Sequence, residues 1–236
     1  SLTVDRGEML AIVGSSGSGK STLLKLVAGL LEPQAGSIML HEHHSDESML
    51  PTAAGRVGVV YQDSRVFDGY TVERALREGV KQGKIYLDEI DKRVADIAEE
   101  FGLAEHLSKY PAHLSGGQLK RLAIAQQLLY GKQVLLMDEP FTGLDAKSKK
   151  DVIAAIRRVA NRHQFNTILI ITHDTFAGVE IADTLHILGL NDGDLPGASI
   201  KYTFDLVETG IALNADATST AEYAKTVVEI QEILSR

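Results

Sequence analysis

The chain has 236 residues, no cysteine and a formal net charge of −8, with 44% hydrophobic and 24% charged residues. That length can bury a full core, as one large domain or as a core with a subdomain. The missing cysteines exclude disulfides, thiolate catalysis and cysteine-ligated zinc, and the acidic balance argues against wholesale binding to nucleic acid or anionic lipid.

Ser1-Leu2-Thr3-Val4 reads as a strand already under way, so the natural N-terminus is expected upstream. Asp5-Arg6-Gly7 reads as a turn into the apolar run 9–13, a buried strand. Gly14-Ser15-Ser16-Gly17-Ser18-Gly19-Lys20-Ser21-Thr22 follows and fits G-x-x-x-x-G-K-[ST], and 22–29 carries apolar residues at helical spacing. Strand, glycine-rich loop and helix together form a phosphate cradle. The glycines bare backbone N–H groups and the helix N-terminus adds its positive dipole end. Lys20 is placed to reach the β- and γ-phosphates and the Ser21 hydroxyl to ligate Mg²⁺, so a nucleoside triphosphate is the expected ligand.

A turn at 32–36 leads to a short apolar run, 37–40, and the polar stretch 41–54 reads as a loop. His41, His43 and His44 in that loop are read as a metal site or as a solvated hairpin tip. The run 56–61 is the next strand, with Gln62 at its C-terminal end, where parallel sheets present their chemistry. From 71 to 107 the pattern is helical and charged, a helical insertion. Leu114-Ser115-Gly116-Gly117-Gln118 then opens a helix and reads as a good cap or as a second anion site.

The run 132–140 is an apolar strand ending in Asp138 and Glu139, one placed to hold Mg²⁺ and the other to polarise an attacking water. A loop, 141–145, precedes a helix over 147–162. A buried strand, 167–172, ends at His173, and 185–190 reads as the last core strand. Residues 191–198 read as a linker, 200–204 as an apolar-polar run, and 220–234 as a helix whose Val227, Ile230 and Leu234 share one face.

In order, these motifs resemble the ATP-binding-cassette (ABC) ATPase family to about residue 190. The resemblance implies an α/β fold: a P-loop (RecA-like), mostly parallel sheet with helices on both faces, an N-terminal antiparallel β portion and an inserted α-helical subdomain. It places the ATP-binding core at 1–70 and 130–190, the signature-bearing helical subdomain at 71–129 and a C-terminal tail at 191–236. It also implies a head-to-tail dimer in which Ser115, Gly116, Gly117 and Gln118 meet the γ-phosphate of ATP held by the opposite chain. In that arrangement Glu139 is the base, His173 touches the γ-phosphate, Gln62 senses Mg²⁺ and water, and Asp145 ties the two sites together.

Asp138-Glu139-Pro140-Phe141 and Thr172-His173-Asp174 look like ATPases of bacterial importers. The implied partners are then a second ATPase chain, membrane permease subunits on whose cytoplasmic face it sits, and a solute-binding protein, with no nucleic acid. Leu188-Gly189-Leu190 and 196–206 look like the nitrate, sulfonate and taurine branch. Three features depart from the family pattern. The adenine-stacking aromatic would lie upstream of Ser1, Ala177-Gly178 replaces Glu-Ala, and Gln126 replaces an arginine. Alternatives within the family are an exporter or lipid-extraction ATPase, and a soluble ATPase acting on ribosomes or DNA.

Overall fold

Burial along the strands decides the architecture. In a computed structural model, which describes residues 2–41, 49–82, 89–162, 167–191, 197–212, 214 and 216–235, β1 (Met9–Val13) is buried at every position. A strand with no exposed face needs cover on both sides. It lies inside a six-stranded sheet with β4 (Gly58–Val60), β5 (Val134–Asp138), β6 (Thr167–Ile171), β7 (Thr184–Leu190) and β8 (Ala198–Asp205), in the order β4-β5-β6-β1-β7-β8. The first five of these run parallel, and β8 pairs antiparallel with β7.

Successive side chains point to opposite faces of a sheet. Met9, Ala11 and Val13 therefore join Leu135, Met137, Ile168 and Ile170 on one face. Against them pack α2 (Val72–Gln82), α3 (Ile90–Glu100), α4 (Gly116–Leu129), α5 (Ala146–Arg162), α6 (Thr175–Ile181) and α7 (Ala221–Leu234). Leu10, Ile12, Leu136, Leu169 and Ile171 face the other way and are covered by α1 (Lys20–Val27) through Leu24. Both faces thus carry helices, and among the described residues no helix is long and apolar enough to cross a membrane.

Residues 2–4 are not a strand. Leu2 and Val4 pack on the second core with Thr3 exposed between them, an alternation that mimics a strand without a sheet partner. The antiparallel portion lies instead at β2 (Met39–His41) and β3 (Met49–Pro51), the latter inside the stretch expected to be loop. The histidine cluster lies outside the described residues (His43 and His44, and the side chain of His41), as do residues 83–88 of the expected helical insertion and most of the linker.

Helix α6, too short to show a period, is capped by Asp174, which accepts from the Ala177 N–H at 3.0 Å. Residues 185–190 are not the last strand, because β8 continues the sheet. Its exposure hid it: Ile200 and Phe204 pack only partly on the two cores, and the ladder to β7 holds the rest of the strand.

Both departures inside the chain have a packing reason. Gln126, 2% exposed, donates its amide to the Ala75 carbonyl at 3.2 Å and ties α4 to α2. Ala177 is fully buried, and a Cβ on Gly178 would stand 3.3 Å from Val13 and Leu185. A glutamate at 177 would bury a charge, and α6 lies close on the sheet because these residues are small.

Candidate active site

Five parallel strands end on one rim, and the motif residues follow those ends. After β1 the chain turns at Gly14, where a Cβ would stand 2.4 Å from the Leu188 carbonyl oxygen and 2.8 Å from Ser18 Oγ. Only a residue without a side chain lets the loop leave β1 flush against β7. Gly17 takes φ 81°, a left-handed turn. Helix α1 then begins with no side-chain cap, so its first N–H groups remain for a ligand. Lys20 folds back, its Nζ donating to the carbonyls of Gly14 and Ser15 at 2.8 and 2.9 Å. Burial pulls its pKa below the ordinary lysine value, against the pull of Glu139 and Asp138.

At the end of β5, burial and then neighbouring Glu139 push the Asp138 carboxyl up, opposed by Lys20, Lys120 and Lys25. Glu139 follows in a left-handed backbone, φ 49°, fixed by its N–H to the Ile171 carbonyl at 2.8 Å. Its Oε1 accepts from the His173 N–H at 2.9 Å and faces His173 Nδ1 at 2.7 Å. Its Oε2 accepts from the Thr172 and Thr142 hydroxyls at 3.1 and 3.3 Å. A carboxylate only accepts, so His173 carries its proton on Nδ1 and turns Nε2 elsewhere. At the end of β4, Gln62 sits in a turn closed by the Ser64 N–H to the Tyr61 carbonyl at 3.0 Å.

A cleft of about 380 Å³ gathers Ser16, Gly17, Gly19, Lys20, Ser21 and Thr22 from the loop with Gln62, Asp138, Glu139 and His173 from the strand ends. Gly14, Ser15 and Ser18 do not line it; the first two supply the carbonyls that receive Lys20, and Ser18 is fully buried. Ser115, Gly116, Gly117, Gln118 and Asp145 also lie off this lining. Ser115 and Gln118 form a reciprocal capping box on α4, at 2.9 and 3.3 Å. Asp145 accepts from the Ser148 N–H and hydroxyl at 2.9 and 2.7 Å, and so caps α5.

The donor set suits a magnesium nucleotide. Asp138, Gln62 and Ser21 line the cleft together, and Mg²⁺ binds through one or two carboxylates plus phosphate oxygens. The sequence reading missed Thr142 and Thr172, which hold Glu139, His106, whose Nε2 stands 2.8 Å from the Gln118 amide nitrogen, and Lys120. Thr142 had a local signal, three residues after Glu139 in a tight turn; the others depend on long-range packing.

The model of the family described as ABC transporter matches residues 1–142. The chain belongs to the ABC transporter family. Within it, the sulfate/thiosulfate import ATP-binding protein CysA of Gloeobacter violaceus is 36% identical over 213 residues, 90% of this chain and 61% of that protein. The CysA of Mycolicibacterium paratuberculosis is 37% identical over 185 residues, 78% of this chain and 50% of that one. The energy-coupling factor transporter ATP-binding protein EcfA of Enterococcus faecium is 37% identical over 196 residues, 83% and 69% of the two chains. The chain thus spans 50–61% of the length of the two CysA relatives. None of these three names mentions nitrate, sulfonate or taurine.

Among solved structures, cbiO1 from Clostridium perfringens, part of the ABC transporter complex cbiONQ, superposes with TM-score 0.72 at 25% identity, covering 98% of this chain and 90% of that one. The ATP-binding cassette MJ0796, solved as a post-hydrolysis dimer with ADP and Pi, gives 0.69 at 24% identity over 87% and 88% and supports the fold.

Proposed function

We propose that the chain is the ATP-hydrolysing subunit of an ABC importer of a small solute. The observation that carries this reading is the meeting, in one cleft, of the Lys20 loop with Asp138 and with a Glu139 held by His173. The loop N–H groups and Lys20 hold and orient the triphosphate, Lys20 exchanging its own loop carbonyls for phosphate oxygens. Ser21, Gln62 and Asp138 would hold Mg²⁺, which would supply charge neutralisation to the triphosphate. Glu139 takes the proton of the attacking water, which displaces the longest of its four partners, the Thr142 hydroxyl. His173, anchored through Nδ1, turns Nε2 to the γ-phosphate.

Two chains pair head to tail, each signature (Ser115, Gly116, Gly117 and Gln118) closing the other's ATP and Asp145 bridging the two. That pairing explains why the signature lies off its own cleft. The core (1–70, 130–190) carries the chemistry. The helical segment (71–129) carries the motion to permease subunits at the cytoplasmic membrane face, fed by a solute-binding protein. The importer relatives favour this direction of transport.

In purified protein with Mg-ATP, Glu139→Gln should keep ATP binding while turnover falls about 10²–10⁴-fold. Turnover near that of the unmodified protein removes Glu139 as the base. Tagged Glu139→Gln protein, pulled from detergent-solubilised membranes with Mg-ATP, should bring down a multi-spanning permease. Recovery of ribosomal or DNA-associated proteins alone overturns the transport reading.

A further inference from the structure

Two non-glycine residues among those described hold a left-handed backbone, Ser64 (φ 51°) and Glu139 (φ 49°). Such backbones persist where the surroundings hold them, and they concentrate at functional sites. Each lies in a short turn on the rim of the cleft. The first is closed by the Ser64 N–H to the Tyr61 carbonyl at 3.0 Å, the second by the Thr142 N–H to the Glu139 carbonyl at 3.3 Å. One side chain reaches both turns. Lys120, 4% exposed, places its Nζ 2.7 Å from the Gln62 carbonyl oxygen and 3.4 Å from that of Glu139.

A buried ammonium is costly, and hydrophobic residues fill such a position more cheaply. Among the described residues Lys120 makes no salt bridge; its Nζ donates to two neutral carbonyls in two strained turns, while Asp63, Glu139 and Asp138 act on its charge from further off. It also stands on α4, five residues beyond Ser115, the cap of the signature helix. An α-helix moves as a rigid element, so a shift of its N-terminal turn carries Lys120 with it.

We infer that Lys120 is a positioning residue that ties the signature helix to the backbones of Gln62 and Glu139, so that the seating of α4 sets the attitude of the base in the same chain's cleft. The catalytic consequence rests on the ATPase reading above; the mechanical link does not. Contact of the signature with the partner's nucleotide would then reach this chain's own Glu139 through one side chain, without passing through either nucleotide.

The test compares the unmodified chain with Lys120→Met, which keeps length without donors, and Lys120→Arg, which keeps donors. Lys120→Met should lower turnover about tenfold or more with ATP affinity within about twofold, and Lys120→Arg should recover most of it. Amide hydrogen exchange at Ser64 and Thr142 should quicken about tenfold in Lys120→Met, with or without nucleotide. Unchanged exchange overturns the link; turnover within about twofold of the unmodified chain, or turnover and affinity lost together, overturns the positioning role. If Lys120→Met does not fold, Lys120→Gln, one atom too short to reach both carbonyls, should show the same changes in smaller measure, and unchanged values overturn the inference. An unmodified chain that hydrolyses no ATP removes the ATPase reading, while the exchange result still decides the link.

Discussion

Gly14 and Gly17 occupy one loop and should fail for different reasons when replaced. At Gly14 the obstacle is space. A Cβ there stands 2.4 Å from the Leu188 carbonyl oxygen, and contacts under 3.0 Å are not seen, so β1 and β7 must part by at least about 0.6 Å at their C-terminal ends. Neighbouring strands are held about 4.8 Å apart by their ladder, and backbone cannot swing aside as a side chain can. An overpacked site of this kind costs about 1–3 kcal/mol or more, which for a chain of this size lowers Tm by about 3–10 °C. At Gly17 there is room, since nothing lies within 4 Å of the added Cβ, but φ is 81°. The cost there is the left-handed backbone, about 1–2 kcal/mol, and asparagine relieves much of it. Differential scanning calorimetry of Gly14→Ala, Gly14→Asn, Gly17→Ala and Gly17→Asn separates the two. Asn should rescue position 17 and worsen position 14. Rescue at both, or Gly14→Ala melting within about 1 °C of the unmodified protein, refutes the steric account.

Two further predictions use titration. Asp138 is pushed up on folding by burial and by Glu139, so the folded chain takes up a proton and its ionised form weakens the native state as pH rises through the carboxylate range. Without Mg²⁺ and nucleotide, Asp138→Asn should therefore melt higher than the unmodified chain at pH 7, and the gap should close on acidification; a lower melting point at pH 7 contradicts this. Tyr223 donates its hydroxyl to the Phe176 carbonyl at 3.1 Å, and burial holds its pKa up at about 12. The unfolded phenol ionises first as pH rises past 10.0, so the unmodified chain should lose stability from there to about 12 more steeply than Tyr223→Phe. At neutral pH that variant should cost about 1 kcal/mol, or about 2–4 °C in Tm. Equal alkaline slopes would refute the assignment.

The rim of the sheet was legible because each of its residues follows an apolar run. Lys20 follows β1 and its loop, Asp138 closes β5 with Glu139 next, and His173 follows β6. Local pattern carries that much. It could not show that Asp145 caps α5, since an acid after a loop reads alike as a cap or as a contact. It misread 2–4, where alternation without a partner imitates a strand, and it stopped the sheet at β7 because β8 shows much of its surface to water. Lys120 gave no signal at all. Lysine is a common helix surface residue, and only the fold reveals that this one is buried against two carbonyls 58 and 19 positions away in sequence.

The sheet order has a consequence for how the chain is made. Met9 pairs with Ile168 and Leu10 with Thr184, so the central strand leaves the ribosome about 160 residues before the first of these neighbours. At ribosomal rates of about 5–20 residues per second, β1 waits on the order of 8–30 seconds with both edges open and no sheet to enter. Its five apolar residues are an aggregation hazard during that interval. Nucleotide offers no help, because the strand ends that complete the cleft have not yet been synthesised. Premature termination before β6 should thus yield insoluble material rather than a weak binder, and yield in the cell should depend on chaperones that shield this early strand.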